Sequence, residues 1–167
     1  APWPAIEALL LDGMTALTSL EGIEVLTGLQ HIDLTRSPHL DAIDFSVLRA
    51  RTEPIVIALR APDTGLSAKA IANLSVIPKL CLHLSVGEAF STLAGLEGLK
   101  NLISLQISPV GHRQKIALTT EALKPLLALT GLKALALPEQ GLPPRCGPIA
   151  KGTTHATSIA NFRKALA

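Results

Sequence analysis

The sequence predicts an α/β solenoid in which a short strand and a short helical turn alternate along one chain. Three observations lead to this prediction: an aliphatic composition, a recurring leucine template and a regular spacing. Of the 167 residues, 48% are hydrophobic but only 2% are aromatic. Repeats of about 20 to 30 residues are typical of solenoids, in which each unit covers the hydrophobic face of the next. We therefore expect one continuous aliphatic core.

The template is L-x2-L-x2-L-x2-L-x2-L-x-L, with Leu or Ile at the apolar positions. Complete, shortened or degenerate copies occupy residues 6–11, 20–34, 45–59, 71–82, 93–107 and 123–137. The penultimate apolar positions of the six units are Leu9, Ile32, Ile57, Leu80, Leu105 and Leu135, at steps of 23, 25, 23, 25 and 30 residues. Six strands are therefore expected.

The two halves of the template predict different structures. The L-x-L end alternates with period two, as in a strand with one buried face, whereas the preceding three-residue period suits a 3₁₀ or short helical turn. Thr18 with Glu21 matches a capping box, and Ser67 and Thr119 precede the other helical segments. The strands are predicted near residues 6–11, 29–34, 54–59, 77–82, 102–107 and 132–137. Each connection is a crossover, so the strands are expected to be parallel.

The strand segments resemble the leucine-rich repeat family, whose signature is LxxLxL. The signature is matched by LQHIDL at 29–34, LISLQI at 102–107 and LKALAL at 132–137. The segment LEGLKNLISLQI at 96–107 is most similar to bacterial internalin-type repeats. The resemblance covers residues 6–142. It implies a horseshoe arc with a curved parallel β-sheet on the concave side and short α or 3₁₀ helices on the convex side. The family's asparagine ladder is absent, because its positions hold Met14, Ser37, Pro62, Ser85, Val110 and Gln140.

The domain prediction is a six-unit repeat domain at residues 1–142, followed by a loop and a C-terminal capping helix at 143–167. Ile159, Phe162 and Leu166 lie on one face of that helix, which covers the end of the hydrophobic stack. Trp3, between two prolines, is expected to cover the front. A partner-binding role for the C-terminal helix is the alternative.

Composition disfavours several function classes. A net charge of +2, one Trp and three Phe provide neither a basic stripe nor a stacking platform for nucleic acid. The longest segment without charged residues, 101–112, is too short to span a membrane. Cys81 and Cys146 form no disulfide framework and no CxxC motif, so cytoplasm is the default location. No cofactor motif is present, and we expect no cofactor.

The outward positions of the strands predict a binding surface, because polar residues concentrate there in units two to five. A basic insertion at residues 109–116 follows the fifth strand. The predicted partner-binding residues are His31, Asp33, Arg60, Lys79, His83 and Gln106 on the sheet, with Arg113 and Lys115 in the loop.

The same strands and the neighbouring loop also contain residues that suggest a metal site, an ion pair, turns and a free thiol. His31 and Asp33 share one side of a strand, but His83 lies two strands away, about 10 Å by strand spacing, so no shared metal is expected. Asp33 is instead expected to form an ion pair with Arg60 on the next strand. The His39, Asp41 and Asp44 group is expected to serve turns, and Cys81 to be a buried or half-buried free thiol.

The sequence therefore predicts a non-catalytic protein-binding module that acts through the concave sheet face and the 109–116 loop, as a monomer or in a complex with its partner. A bacterial effector or surface-protein fragment and a toxin-immunity protein are settings suggested by fold analogy. The chain begins without Met or a signal peptide. The alternative is a repeat domain of a larger enzyme whose catalytic part lies upstream, and a stand-alone hydrolase is the third hypothesis.

Overall fold

The computed structural model describes residues 5–11, 13–37, 40–111, 116, 118–138 and 163–164. Six strands form one sheet: β1 (Ala8–Leu10), β2 (His31–Leu34), β3 (Ile55–Arg60), β4 (Leu80–Val86), β5 (Leu102–Pro109) and β6 (Ala134–Ala136). Their order in the sheet follows their order in the chain, and every neighbouring pair is parallel. The predicted α/β class with six parallel strands is confirmed.

Short helices occupy the connections between strands. The α-helices are α1 (Ala68–Leu74) and α2 (Thr120–Leu123), and the 3₁₀ helices are Ile23–Val25, Leu40–Ala42, Ser46–Leu48, Leu96–Gly98 and Lys124–Ala128. The predicted caps of both α-helices are confirmed: Ser67 Oγ accepts the Ala70 N–H at 3.0 Å, and Thr119 Oγ1 accepts the Ala122 N–H at 3.2 Å.

The capping box predicted at Thr18 is wrong. The neighbouring Ser19 Oγ accepts the Glu21 N–H at 3.0 Å, and the Glu24 carboxylate accepts the Gly22 N–H at 2.8 Å. Gly22 has a φ of 95°, a left-handed conformation that glycine adopts without strain, and the 3₁₀ helix begins after it at Ile23. The Glu24 carboxylate therefore caps the N-terminus of this 3₁₀ helix from a position within the helix.

Backbone hydrogen bonds explain the three-residue leucine period. Each apolar position of the turn donates its N–H to the carbonyl three residues earlier, for example at Leu26, Leu99 and Leu129, with N···O distances of 2.9, 2.9 and 3.2 Å. These three leucines occupy the same template position and have almost the same backbone angles: φ, ψ of −85°, 73°, of −83°, 69° and of −86°, 71°. The three complete copies of the template thus share one local backbone geometry.

Side chains also join each connection to the preceding one. Ser37 is buried, and its hydroxyl donates to the Leu11 carbonyl at 3.1 Å. The Asn73 amide donates to the carbonyls of Asp41 and Ile43 at 3.2 and 3.0 Å. Buried backbone carbonyls outside the sheet therefore obtain partners from neighbouring connections.

The core lies on one face of the sheet. Alternate strand residues and the leucines of the helical turns form one hydrophobic cluster, whose innermost members, such as Ile32, Ile57 and Leu105, have no exposed surface. In β4 every second residue is buried and those between are half-buried. The other face of the sheet is therefore open to solvent.

The register of the fourth strand differs from the prediction. Leu82, not Leu80, pairs with Ile57 on β3 and Leu105 on β5, so the steps on either side are 25 and 23 residues rather than 23 and 25. Helix α1 precedes this strand, and an α-helix uses more residues for the same length than a 3₁₀ turn. The pairing between β4 and β5 also shifts by one residue at Leu80 and Cys81. The template of apolar positions predicts neither the register of β4 nor this shift.

Most of the C-terminal segment at 143–167, and Trp3, lie outside the described residues. Arg163 and Lys164 are helical, and the Arg163 guanidinium donates to the Leu129 carbonyl. This contact joins the C-terminal residues to the turn that precedes β6.

Candidate functional site

The open face of the sheet carries a group of polar side chains from three strands. They are His31 and Asp33 of β2, Cys81 and His83 of β4, and Gln106 and Ser108 of β5. We call these six residues the open-face cluster. Gln106 is exposed and the other five are half-buried, so these side chains are partly accessible to solvent while their backbones are fixed by strand pairing.

The observed register places Asp33 and His83 in the same row across the sheet. Asp33 of β2 pairs with Ala58 of β3, and Ala58 pairs with His83 of β4. His83 in turn pairs with Gln106 of β5. Ala58 is only 2% exposed although it lies on the open face, because larger side chains on both sides cover it. The small residue leaves space for the side chains of Asp33 and His83 above β3.

The environment of His83 favours its neutral form. Burial lowers the pKa of His83 below its ordinary value, the nearby His31 lowers it further, and the Asp33 carboxylate partly offsets both. His83 Nε2 lies 2.9 Å from the Ser108 hydroxyl oxygen. A neutral imidazole nitrogen can accept a hydrogen bond from this hydroxyl or donate one to it, depending on the tautomer.

The His83 and Ser108 pair has the separation of a base and a hydroxyl nucleophile, but it lacks a third group. Within the described residues, nothing hydrogen-bonds His83 Nδ1, the position that the orienting carboxylate occupies in a catalytic triad. The Asp33 carboxylate instead accepts the Thr35 N–H. The pair therefore supplies a hydrogen-bonding group rather than a complete catalytic arrangement.

His31 contributes a nitrogen without a hydrogen bond. Its Nε2 atom is buried and has no partner among the described residues. Buried polar atoms nearly always have a partner, so an unpaired one needs an explanation. A group that reaches this nitrogen from the open face would have to displace the side chains that cover it.

The ion pair predicted between Asp33 and Arg60 is wrong. Asp33 Oδ1 accepts the Thr35 N–H at 2.9 Å, and no described cation lies within ion-pair distance of Asp33. Arg60 lies two residues beyond the partner of Asp33 on β3, in register with Ser85. Arg60 is exposed at the end of the strand, at the margin of the open face.

Lys79 does not join the cluster. It is exposed and precedes β4, and Cys81 occupies the place predicted for it, in the row of His31. Arg113 and Lys115 lie outside the described residues. The structure thus brings His31, Asp33, His83 and Gln106 together and leaves Lys79 apart.

Cys81 is a half-buried free thiol, as predicted. Burial raises the pKa of Cys81, so the thiol remains protonated near neutral pH. The role in turns predicted for Asp44 is confirmed: its carboxylate accepts the backbone N–H and the hydroxyl of Ser46 at 2.8 and 2.9 Å, and these bonds lower the pKa of Asp44. His39 lies outside the described residues.

Sequence reasoning missed Ser108, because a single serine in a strand carries no recognisable signal. In the described part of the chain, no group of three or more His, Cys, Asp or Glu side chains has a geometry that would hold a metal ion. None of the helices found there has the length and hydropathy of a membrane span.

Comparison with known proteins identifies no relative of this chain. No protein-family model matches it, and no curated protein or solved structure matches it significantly. The features of this chain that bear on function are therefore its fold and the open-face cluster.

Proposed function

We propose that the chain is a small leucine-rich-repeat module, similar to bacterial internalin-type repeats, that binds a protein partner through the open face of its sheet. Parallel strands in chain order support the repeat assignment, as do the matching turns at Leu26, Leu99 and Leu129. Repeat units place the same backbone geometry at the same template position. In such a solenoid the open face is the concave one.

The open-face cluster is the observation that carries this proposal. Strands β2, β4 and β5, with β3 between the first two, hold its polar groups in fixed relative positions, and the buried nitrogen of His31 has no partner among the described residues. A surface that is already ordered loses little conformational entropy when it binds. A few well-placed hydrogen bonds can then give useful affinity.

The chemistry of the cluster indicates a polar partner surface. Neutral His83, Gln106 and Ser108 offer both donors and acceptors, and Asp33 adds one negative charge. Exposed Arg60 at the margin suits a carboxylate of the partner, because its guanidinium makes forked contacts. We therefore expect hydrogen bonds to the centre of the face and charge contacts at its rim.

The size of the face sets how much of the interface it provides. Six strands, each about 4.8 Å wide, span about 29 Å, and strands of three to eight residues, about five on average at about 3.3 Å each, span about 17 Å. The resulting area, roughly 500 Å², is smaller than the approximately 800 Å² per partner of a standard interface. Adjacent loops, including the one predicted at 109–116, are therefore expected to contribute. Effector and toxin-immunity modules both fit this mode of binding.

A steric variant of the open face tests the proposal. Gln106→Trp places a large side chain at the exposed position of the open-face cluster on β5, whereas Ala72→Trp places the same side chain at an exposed position of α1 as a matched control. The immobilised wild type and both variants would be incubated with lysate of the source organism, and bound proteins quantified by mass spectrometry.

We expect one protein that the wild type and Ala72→Trp retain and that Gln106→Trp loses. Titration of the purified partner should then show at least a tenfold weaker Kd for Gln106→Trp. Equal retention by all three chains, or no enrichment over blank resin, contradicts the proposal.

A further inference from the structure

A cavity of about 680 Å³ lies beyond the carboxyl ends of β2 and β3. The segment after β2 and the 3₁₀ helix Leu40–Ala42 form one wall, and the loop 61–67 with the start of α1 forms the other. Binding sites for small organic molecules usually enclose about 300 to 1,000 Å³. None of the six residues of the open-face cluster lines this cavity.

The charged side chains that line the cavity are mainly cationic. Among the described residues that line it, Arg36, Arg60 and Lys69 carry positive charge and Asp41 carries negative charge. The whole chain has a net charge of only +2, so positive charge is concentrated here. Ser67 Oγ, on the opposite wall, donates a hydrogen bond to the Asp41 carboxylate, and this bond joins the two walls.

The two walls are also joined by Asn73, whose side chain does not line the cavity. The Asn73 amide of α1 donates to the carbonyls of Asp41 and Ile43 on the opposite wall. Gly65 turns the loop with a φ of 86°, and a Cβ there would lie 3.3 Å from the side chain of Thr92. The two walls therefore have a defined separation before any ligand binds.

Apolar side chains complete the lining. Leu40 and Leu66 are 8% and 9% exposed and lie on opposite walls, together with several alanines and a proline. A single inorganic ion would fill only a small part of a cavity of this size. The combination of cations and aliphatic walls suits a molecule with one anionic and one apolar part.

We propose that this cavity binds a small organic oxyanion, in which a phosphate or carboxylate group is attached to an apolar moiety. Arg60 and Lys69 contact the anionic oxygens, since guanidinium and ammonium groups are the usual partners of phosphate and carboxylate. Leu40 and Leu66 contact the apolar moiety. Arg60 also lies at the margin of the proposed partner-binding surface, but the anion site extends beyond that surface and does not depend on it.

Three related probes test the site by isothermal titration calorimetry on the full chain at constant ionic strength. 1-Naphthyl phosphate and 1-naphthoate carry the two candidate anions, and 1-naphthol has the same ring without either. We expect at least one of the anionic probes to bind at least tenfold more tightly than 1-naphthol. The stronger of the two identifies the preferred anion.

Variants locate the binding. Arg60→Gln and Lys69→Gln remove one charge each at exposed positions, and each should weaken binding of the preferred probe at least fivefold. Lys133→Gln removes an exposed charge outside the cavity and should leave binding unchanged. Two independent cavity variants keep the test valid if one of them fails to fold.

Three results would overturn the proposal: no binding of either anionic probe, equal affinity for 1-naphthol, or equal affinities in the cavity variants and Lys133→Gln. Gln106→Trp should retain probe binding at the wild-type affinity. Loss of partner binding by that variant therefore remains distinguishable from failure of the anion site.

Discussion

Leu105→Ala tests the packing that the strand register implies. Leu105 is fully buried in β5 and pairs in register with Leu82 of β4 and Leu135 of β6. The substitution removes three carbon groups from the core, which at about 0.8 kcal/mol each costs about 2.4 kcal/mol. Strand pairing on both sides limits collapse into the space, and the residual cavity adds to the cost. We expect a total loss of about 3 to 4 kcal/mol in the free energy of unfolding, within the range of about 2 to 5 kcal/mol for such changes.

The assay is equilibrium unfolding in urea followed by far-ultraviolet circular dichroism. The midpoint should fall with little change in the slope, which reflects the surface exposed on unfolding. Gln106→Ala is the matched control on the next residue of the same strand. It points to the open face and should stay within about 0.5 kcal/mol of wild type. Equal losses in the two variants would refute the assignment of core and open faces.

Three further predictions follow from side chains outside the strand core. Because the pKa of His83 is lowered, the folded chain binds the imidazole proton more weakly than the unfolded chain does. The free energy of unfolding should therefore fall as the pH decreases below 6.5, the ordinary pKa of histidine. The urea midpoints at pH 7 and pH 5 should differ less in His83→Gln than in wild type. Ser67→Ala removes the cap of α1 and should cost about 1 kcal/mol in the same urea assay, and an unchanged midpoint would contradict the capping role. Burial raises the pKa of Cys81 and keeps its thiol protonated at pH 7. In a Cys146→Ser chain, Cys81 should therefore react with a thiol reagent more slowly in the native state than in urea. Equal rates would show that the fold does not protect the thiol.

Hydrophobic periodicity predicted the faces of the strands better than their register. Leu80, Leu82 and Leu84 all point into the core, so a shift of two residues along β4 preserves the alternation of buried and open positions. The register depends instead on the length and helix type of the preceding connection and on the irregularity opposite Cys81. A template of apolar positions contains neither.

The same limit applies to the candidate sites. His31, Asp33, His83 and Gln106 were predictable because alternation alone places them on the open face. The absence of an ion pair between Asp33 and Arg60 follows from a local hydrogen bond to Thr35, which competes for the carboxylate. The cationic cavity had no sequence signal, because it depends on how two successive loops separate in space.

Site-specific photocrosslinking tests most directly whether the open face contacts a protein. A benzoylphenylalanine residue would replace Gln106 in one chain and Ala72 in another, and each would be irradiated in lysate of the source organism. The proposed function predicts a discrete crosslinked protein adduct from position 106 and none from position 72. An adduct from position 72 without one from position 106 would contradict binding through the open face.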